Sequence, residues 1–200
     1  MKSYIDKFEA LLFDLDGTLI DTMRLHYSAY AEVLARRGLE LKEAAFMATI
    51  GAPAREAIPR FLEAAGAKCA SADDVSAIHV DKKAVFERLL TKGEILLLPA
   101  ARLLEWARGR KKLALVSSGN KDGVTALLWA TRWTDVFDVV ISGDDVSRGK
   151  PDPEPYLAAA AALKIAPRNC LVLEDTEAGL TSGRAAGMAV LDVAELAAFE

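Results

Sequence analysis

Cysteine is almost missing from this chain, with two in 200 residues, Cys69 and Cys170, set far apart. That number and spacing argue against a disulfide framework or a metal role. Cys170 leads straight into an apolar strand, so reduced, buried thiols are expected. Long apolar runs are missing too. None is long enough to cross a bilayer, and the opening Met-Lys-Ser-Tyr-Ile-Asp has no apolar signal segment, so a soluble, cytoplasmic protein is expected. A large excess of one charge sign is missing as well. The formal net charge is −4, and the basic residues are scattered apart from residues 108–112, which read as a solvated helix end. Neither nucleic acid nor membrane is an expected partner. Repeats and low-complexity linkers are also absent. What remains is 52% hydrophobic, enough for one good core and a smaller lobe beside it.

The pattern changes along the chain. One short strand, residues 10–14, is followed by some seventy residues of helical sequence. A helix over 22–37 is predicted by Leu25, Ala29, Val33 and Leu34 at helical spacing, with Gly38 past its end. A second follows Pro53, with Ile58, Phe61, Leu62 and Ala65 on one face and Gly66 as its stop. Pro59 is expected to kink it or shorten its start. A third covers about 73–91. From Leu96 onward short β-type runs at 112–117, 139–142, 170–173 and 189–193 alternate with helical sequence. Parallel strands need crossover connections, so this alternation predicts an α/β fold: a Rossmann-like three-layer α/β/α core with a parallel sheet. The helical stretch reads as an insertion after the first strand. Core residues are then 1–18 and 96–200, the helical lobe is 19–95, and segments 18–22 and 96–99 are the two hinges.

Chemistry gathers where the strands end. Leu12-Phe13-Asp14-Leu15-Asp16-Gly17-Thr18 runs from a buried strand into two carboxylates one residue apart. In parallel sheets ligands bind at the carboxyl ends of strands, and two acids there need a cation. Ser117, with Ser118, Gly119 and Asn120, follows the apolar run 113–116. Lys150 lies in Arg148-Gly149-Lys150-Pro151-Asp152-Pro153, and Glu174 with Asp175 follows Leu171-Val172-Leu173. Meeting in one crevice, three or four carboxylates favour a hard dication, Mg²⁺ where phosphate is present, with Lys150 as a phosphate clamp. Ser117 and the backbone N–H groups after it would hold phosphoryl oxygens. Attack by Asp14 would form an aspartyl-phosphate, with Asp16 protonating the leaving oxygen and later deprotonating water. Each part also has a plainer reading. Asp-Gly can close a strand, Ser-Ser-Gly-Asn can cap a helix, Lys150 can sit at the surface, and Glu174-Asp175 can complement a helix dipole. Their joint order and placement favours the chemical reading.

With these residues the chain resembles the haloacid dehalogenase superfamily, in the branch of phosphoglycolate phosphatases, sugar-phosphate phosphatases and β-phosphoglucomutases. The resemblance covers nearly the whole chain. Its four motifs stand in order as Asp14-Leu15-Asp16-Gly17-Thr18, Ser117, Lys150 with Pro-Asp-Pro-Glu-Pro-Tyr, and Glu174-Asp175-Thr176-Glu177-Ala178-Gly179. The resemblance implies Asp14 as nucleophile and Mg²⁺ ligand, Asp16 as acid/base with its backbone carbonyl on the metal, and Asp175 as a further ligand. Glu174 is implied as a ligand or as a neighbour of the ligands. Thr18, Ser118, Gly119 and Asn120 join the expected substrate contacts. Asp16 argues for phosphate esters, since members that break carbon–halogen or carbon–phosphorus bonds lack an aspartate there.

Residues 19–95 look like the family's cap domain, which closes over the site and chooses the substrate. Lys82 falls on the apolar stripe with Ile78, Val85 and Leu89, so it either snorkels or serves a site, and the resemblance places a substrate-contacting lysine in this helix. His26 matches a histidine of the mutases and can equally be a packing residue. Arg55 lies in the loop expected to touch substrate, displaced by one residue from the mutase arginine. The chain stops seven residues after Val193, where relatives usually add a strand and a helix. An edge left open there would suit a partner subunit, so monomer and homodimer are both expectations. The resulting expectation is a Mg²⁺-dependent phosphatase of a small phosphorylated metabolite, a sugar phosphate or phosphoglycolate. A β-phosphoglucomutase-type mutase and a non-catalytic phosphometabolite sensor are the alternatives.

Overall fold

The structure, a computed structural model, describes residues 2–50, 52–67, 71–91 and 95–198. Gly51 and Cys69 lie outside the described residues. The chain packs into two compact units, residues 1–22 with 95–200, and residues 23–94. The residues of 19–22 thus pack with the first unit rather than with the helical one.

The first unit is built on a parallel five-stranded sheet. Its strands are β1 (Ala10–Phe13), β4 (Lys112–Val116), β5 (Val139–Ile141), β6 (Cys170–Glu174) and β7 (Ala189–Asp192), in the order β5-β4-β1-β6-β7. β1 is central, with Leu12 opposite Ala114 on one side and Val172 on the other. All four β1 residues are buried, as a strand covered on both faces requires. Side chains alternate across the sheet. Ala10, Leu12, Ala114, Val116, Cys170 and Val172 share one cluster with Tyr156, Ala159 and Ala160 of α8 (Glu154–Leu163). Leu11, Phe13, Leu113, Leu115 and Leu173 point the other way and are equally buried. The other crossover helices are α6 (Ala100–Ala107), α7 (Lys121–Thr131) and α9 (Glu177–Ala185). Cys170 is a free, buried thiol.

The two expected hinges form an antiparallel ribbon, β2 (Ile20–Asp21) against β3 (Leu96–Leu97), with Leu98 N–H donating to the Leu19 carbonyl. Two residues per strand give no readable period. A short helix α1 (Lys2–Ile5) also precedes the sheet.

The second unit is helical: α2 (Met23–Ala35), α3 (Glu43–Met47), α4 (Ala54–Ala64) and α5 (Ala72–Thr91), with α5 packed on α2 and α4. Of the two effects expected of Pro59, a kink or a shortened start, the shortened start is not seen. The helix starts at Ala54, directly after Pro53, and runs through Pro59 to Ala64. Pro59 has no N–H to give the Arg55 carbonyl, but Arg55 is on the exposed face, where water can serve that oxygen. α3 escaped the periodicity because it has five residues and one buried anchor, Phe46. Among the described residues no helix is long and apolar enough to cross a membrane.

Candidate active site

The order β4-β1-β6 sets three strand ends side by side, and each delivers one part of the site. Asp14 leaves β1 and is buried, Leu15 turns into the core, and Asp16 emerges exposed. The loop then closes tightly, with Leu15 O accepting from Leu19 and Ile20 N–H and Gly17 N–H reaching Ile20 O. Gly17 is needed twice. Its φ is +88°, and a Cβ there would stand 2.2 Å from Asp175 Oδ2. Ser117 follows β4 and Glu174-Asp175 end β6.

Lys150, from the loop after β5, ties these ends together. Its Nζ donates to Asp14 Oδ1 at 2.6 Å, Glu174 Oε1 at 2.6 Å and the Val116 carbonyl at 2.9 Å. All three ammonium protons are thereby used within the protein. The expected phosphate clamp is first a brace that fixes one oxygen of Asp14. Carboxylate oxygens of Asp14, Glu174 and Asp175 lie within 4.8 Å of one another. One ammonium cannot neutralise three carboxylates at that spacing, and the electrostatics record it. Burial pushes the Asp14 carboxyl up to about 8 despite the pull of Lys150, with Glu174 and Asp175 adding to the rise. Partial desolvation likewise raises the exposed Asp175, against the hydroxyl of Thr18. Burial lowers Lys150, but Asp14 and Glu174 outweigh it and hold the amine above its ordinary value, so it stays charged. An oxygen-rich cluster short of positive charge is the donor set a hard dication takes, so the residues fit Mg²⁺.

Asp16 has its own partner, the Thr22 hydroxyl, which donates to Oδ1 at 2.7 Å. Partial desolvation raises its pKa, while Thr22 and Lys150 pull it down. Ser117 is buried, and its Oγ accepts from Gly119 N–H at 3.0 Å, which leaves its own proton to give and removes the Gly119 N–H from the anion donors. Two expected substrate contacts are spent on the protein itself. The Thr18 hydroxyl donates to Asp175 Oδ1 at 2.8 Å, and Asn120 Oδ1 caps α7 by accepting from Gly123 N–H at 2.8 Å. Ser118 is exposed beside them. Tyr156, Thr176 and Gly179 stand within the motif stretches after Lys150 and Glu174, and Thr22 ends a hinge, but the sequence assigned none of them a role. Thr176, a threonine just ahead of a helix, occupies a cap position, and its Oγ1 caps α9 by accepting from Gly179 N–H at 3.1 Å.

In the helical unit the structure brings His26 and Lys82 together. Lys82 does not snorkel: it is 8% exposed, its Nζ lies 2.6 Å from His26 Nδ1, and the Phe86 and Tyr30 rings stand 4.4 and 5.4 Å away. Burial drops its pKa to about 8, with Lys83 adding to the fall. Burial and the Lys82 charge drop His26 to about 4, and its ring stacks on Phe86 at 4.5 Å. Arg55 takes no part in this cluster. It is exposed on α4, 3.6 Å from Glu56.

A hollow of about 820 Å³ lies at the amino ends of the strands, lined by residues of the basic run 108–112. It holds none of this chemistry, and two of its lysines are engaged locally: Lys112 pairs with Asp138 at 2.6 Å and Lys111 bonds the Asp6 and Phe8 carbonyls.

Known proteins resemble this chain over most of its length. The family model for haloacid dehalogenase-like hydrolases matches residues 8–187. A phosphorylated carbohydrates phosphatase of Thermotoga maritima is 34% identical over 182 residues, covering 90% of this chain and 82% of that protein. The fructose-1-phosphate phosphatase YqaB of Escherichia coli is 32% identical, covering 94% and 97%. Among solved structures, CbbY from Rhodobacter sphaeroides in complex with phosphate superposes with a TM-score of 0.72 at 32% identity, covering 92% of this chain and 84% of that one. The expected enzyme class, a phosphoric monoester hydrolase, agrees with these relatives.

Proposed function

The chain belongs to the haloacid dehalogenase-like hydrolases, and on that premise we propose that it is a Mg²⁺-dependent phosphatase of a small phosphorylated carbohydrate, working through an aspartyl-phosphate on Asp14. The observation that carries this reading is the convergence of Asp14, Glu174 and Asp175 on one point with Lys150 bonded into it. Asp14 and Asp175, with the main-chain carbonyl of Asp16, would hold the Mg²⁺, which when bound screens the carboxylates and polarises the phosphoryl oxygens.

The chain's own residues supply the rest. Lys150 fixes Asp14 Oδ1, so Oδ2 is the attacking atom. It forms the O–P bond as the P–O bond to the sugar breaks. The departing alkoxide takes the proton of Asp16, whose raised pKa suits an acid and whose orientation Thr22 maintains. The Ser117 hydroxyl donates to a phosphoryl oxygen. Asp16, now ionised, then takes a proton from water as the water oxygen attacks phosphorus. Asp14 leaves with its electron pair, and inorganic phosphate is released. The substrates for which the two phosphatase relatives are named support a phosphorylated carbohydrate, and we assign its selection to the helical unit.

A second reading, a phosphosugar mutase, draws on one observation. The buried Lys82 has a neutral histidine and two aromatic faces as neighbours, a setting that suits an anionic ligand. One experiment separates the readings. Purified protein with Mg²⁺ is incubated with hexose phosphates, pentose phosphates, glycerol phosphate and phosphoglycolate while phosphate release and isomerisation are both recorded. Release from sugar phosphates is the expected result. Isomerisation of β-glucose 1-phosphate without net release replaces the phosphatase with the mutase, and silence in both channels removes both.

A further inference from the structure

Two loops at the carboxyl end of the sheet are stitched together: residues 117–121 after β4 and residues 142–145 after β5. Ser117 N–H donates to the Ile141 carbonyl at 2.9 Å, so the loops leave the sheet level with each other. Beyond that rung Gly143 N–H donates to the Gly119 carbonyl at 2.8 Å, and Asp144 Oδ2 accepts from Lys121 N–H at 2.8 Å. Gly143 comes so close that a Cβ on it would stand 2.7 Å from the Ser118 carbonyl oxygen and 3.3 Å from that of Gly119. Its φ is not left-handed, so space and not backbone freedom calls for glycine here. The second loop is itself fixed. Asp145 Oδ2 accepts from the N–H of the buried Ser142 at 2.9 Å and from its hydroxyl at 2.6 Å.

The peptide unit between Ser118 and Gly119 connects this stitching to the reaction. Its oxygen lies against Gly143, while its N–H donates to Ser117 Oγ at 3.0 Å and so aims the Ser117 proton outward. A peptide unit is planar, so displacing its oxygen turns its N–H away from Ser117. We propose that Gly143 and Asp144 are positioning residues for the turn that receives the phosphoryl group. Gly143 sets the Ser118–Gly119 peptide and through it the Ser117 hydroxyl, and Asp144 pins the far end of the turn at Lys121. The inference rests on the phosphatase reading for the identity of the anion; the stitched loops do not depend on it.

Three variants test the assignment, with inorganic phosphate as the probe: Gly143→Ala, Asp144→Ala and Asp144→Asn. Calorimetry on the protein with Mg²⁺ gives the phosphate affinity, and steady-state kinetics on a sugar phosphate give kcat and KM. G143A is expected to bind phosphate about tenfold more weakly and to lose about tenfold to a hundredfold in kcat/KM. D144A should lose about threefold to tenfold in both, and D144N, whose amide oxygen can still take the Lys121 N–H, should return to within about twofold of native. A general folding fault would give a different pattern, a lower kcat from fewer active molecules with KM and phosphate affinity kept. That pattern, or native values in G143A and D144A, overturns the proposal. So does a D144N as weak as D144A, because the charge and not the pinned N–H would then matter. If the native protein binds phosphate but hydrolyses no sugar phosphate, the phosphatase reading fails and the affinities of the variants still decide the role of the loop. A native protein that binds no phosphate overturns both.

Discussion

Replacing Gly179 by alanine sets two physical effects of opposite sign against each other. Gly179 sits in the first turn of α9 with an ordinary helical φ, and helix propensity alone would favour alanine by about 1 kcal/mol. The new Cβ, however, would lie 1.7 Å from Glu174 Oε1 and 1.9 Å from its Cδ. The carboxylate must leave its seat. Lys150, with a side chain 6% exposed, loses its Glu174 partner, and the N–H groups of Asp175 and Thr176 lose their acceptor. Breaking a buried ion pair costs about 3–5 kcal/mol. Set against the helix gain, the net destabilisation is about 2–4 kcal/mol. For a chain of this size each kcal/mol moves Tm by about 2–4 °C, so a fall of roughly 10 °C is expected. Thermal melts by circular dichroism of metal-free native and G179A protein at pH 7 read this directly. A variant as stable as the native protein, or more so, would refute the argument, because helix propensity would then be all that matters at this position.

Asp14→Asn should abolish turnover and leave the far-ultraviolet spectrum unchanged; any residual steady-state activity above background removes the covalent scheme. The same variant tests the electrostatics. A carboxyl raised to about 8 stabilises the fold below its unfolded pKa and loses that contribution as pH rises through 8. The Tm of metal-free D14N should therefore gain on that of the native protein between pH 4 and 8, and a constant difference would contradict the cause given. EDTA should silence the enzyme reversibly, and Mg²⁺ at a hundred times its Kd should add about 2.7 kcal/mol of stability in denaturant titrations; no shift in midpoint would argue against a site in this cluster. Lys82, lowered to about 8, bears its full burial cost below that pH, and the cost fades as pH rises toward the unfolded lysine value. Lys82→Met should accordingly be about 1–3 kcal/mol more stable than native at pH 7, with the gain shrinking by pH 10. A destabilised variant would mean that the His26 and aromatic contacts outweigh desolvation.

Much of this protein could be read from its residues one window at a time. The apolar runs that stop at Asp14, Ser117 and Glu174 mark both the strands and the site, because a strand buried on both faces admits no charge until its end. Alternation of strand and helix fixes the parallel sheet through the handed crossover, and the order β4-β1-β6 then brings those ends together. Short elements were not legible: α3 and the β2–β3 ribbon are too brief to show a period. Nor were the partners of the polar side chains. Thr22 on Asp16, Thr18 on Asp175 and the three acceptors of Lys150 are set by where loops from separate strands pass one another. His26 and Lys82 are 56 positions apart and meet only because α2 packs along α5. Which chemical groups are present, and at which end of the sheet they emerge, follows from the order of residues, since periodicity and burial are local properties. How each group is used follows from the packed fold, because a proton, a lone pair or a missing Cβ acts over a few ångströms, between residues whose separation along the chain carries no trace of that distance.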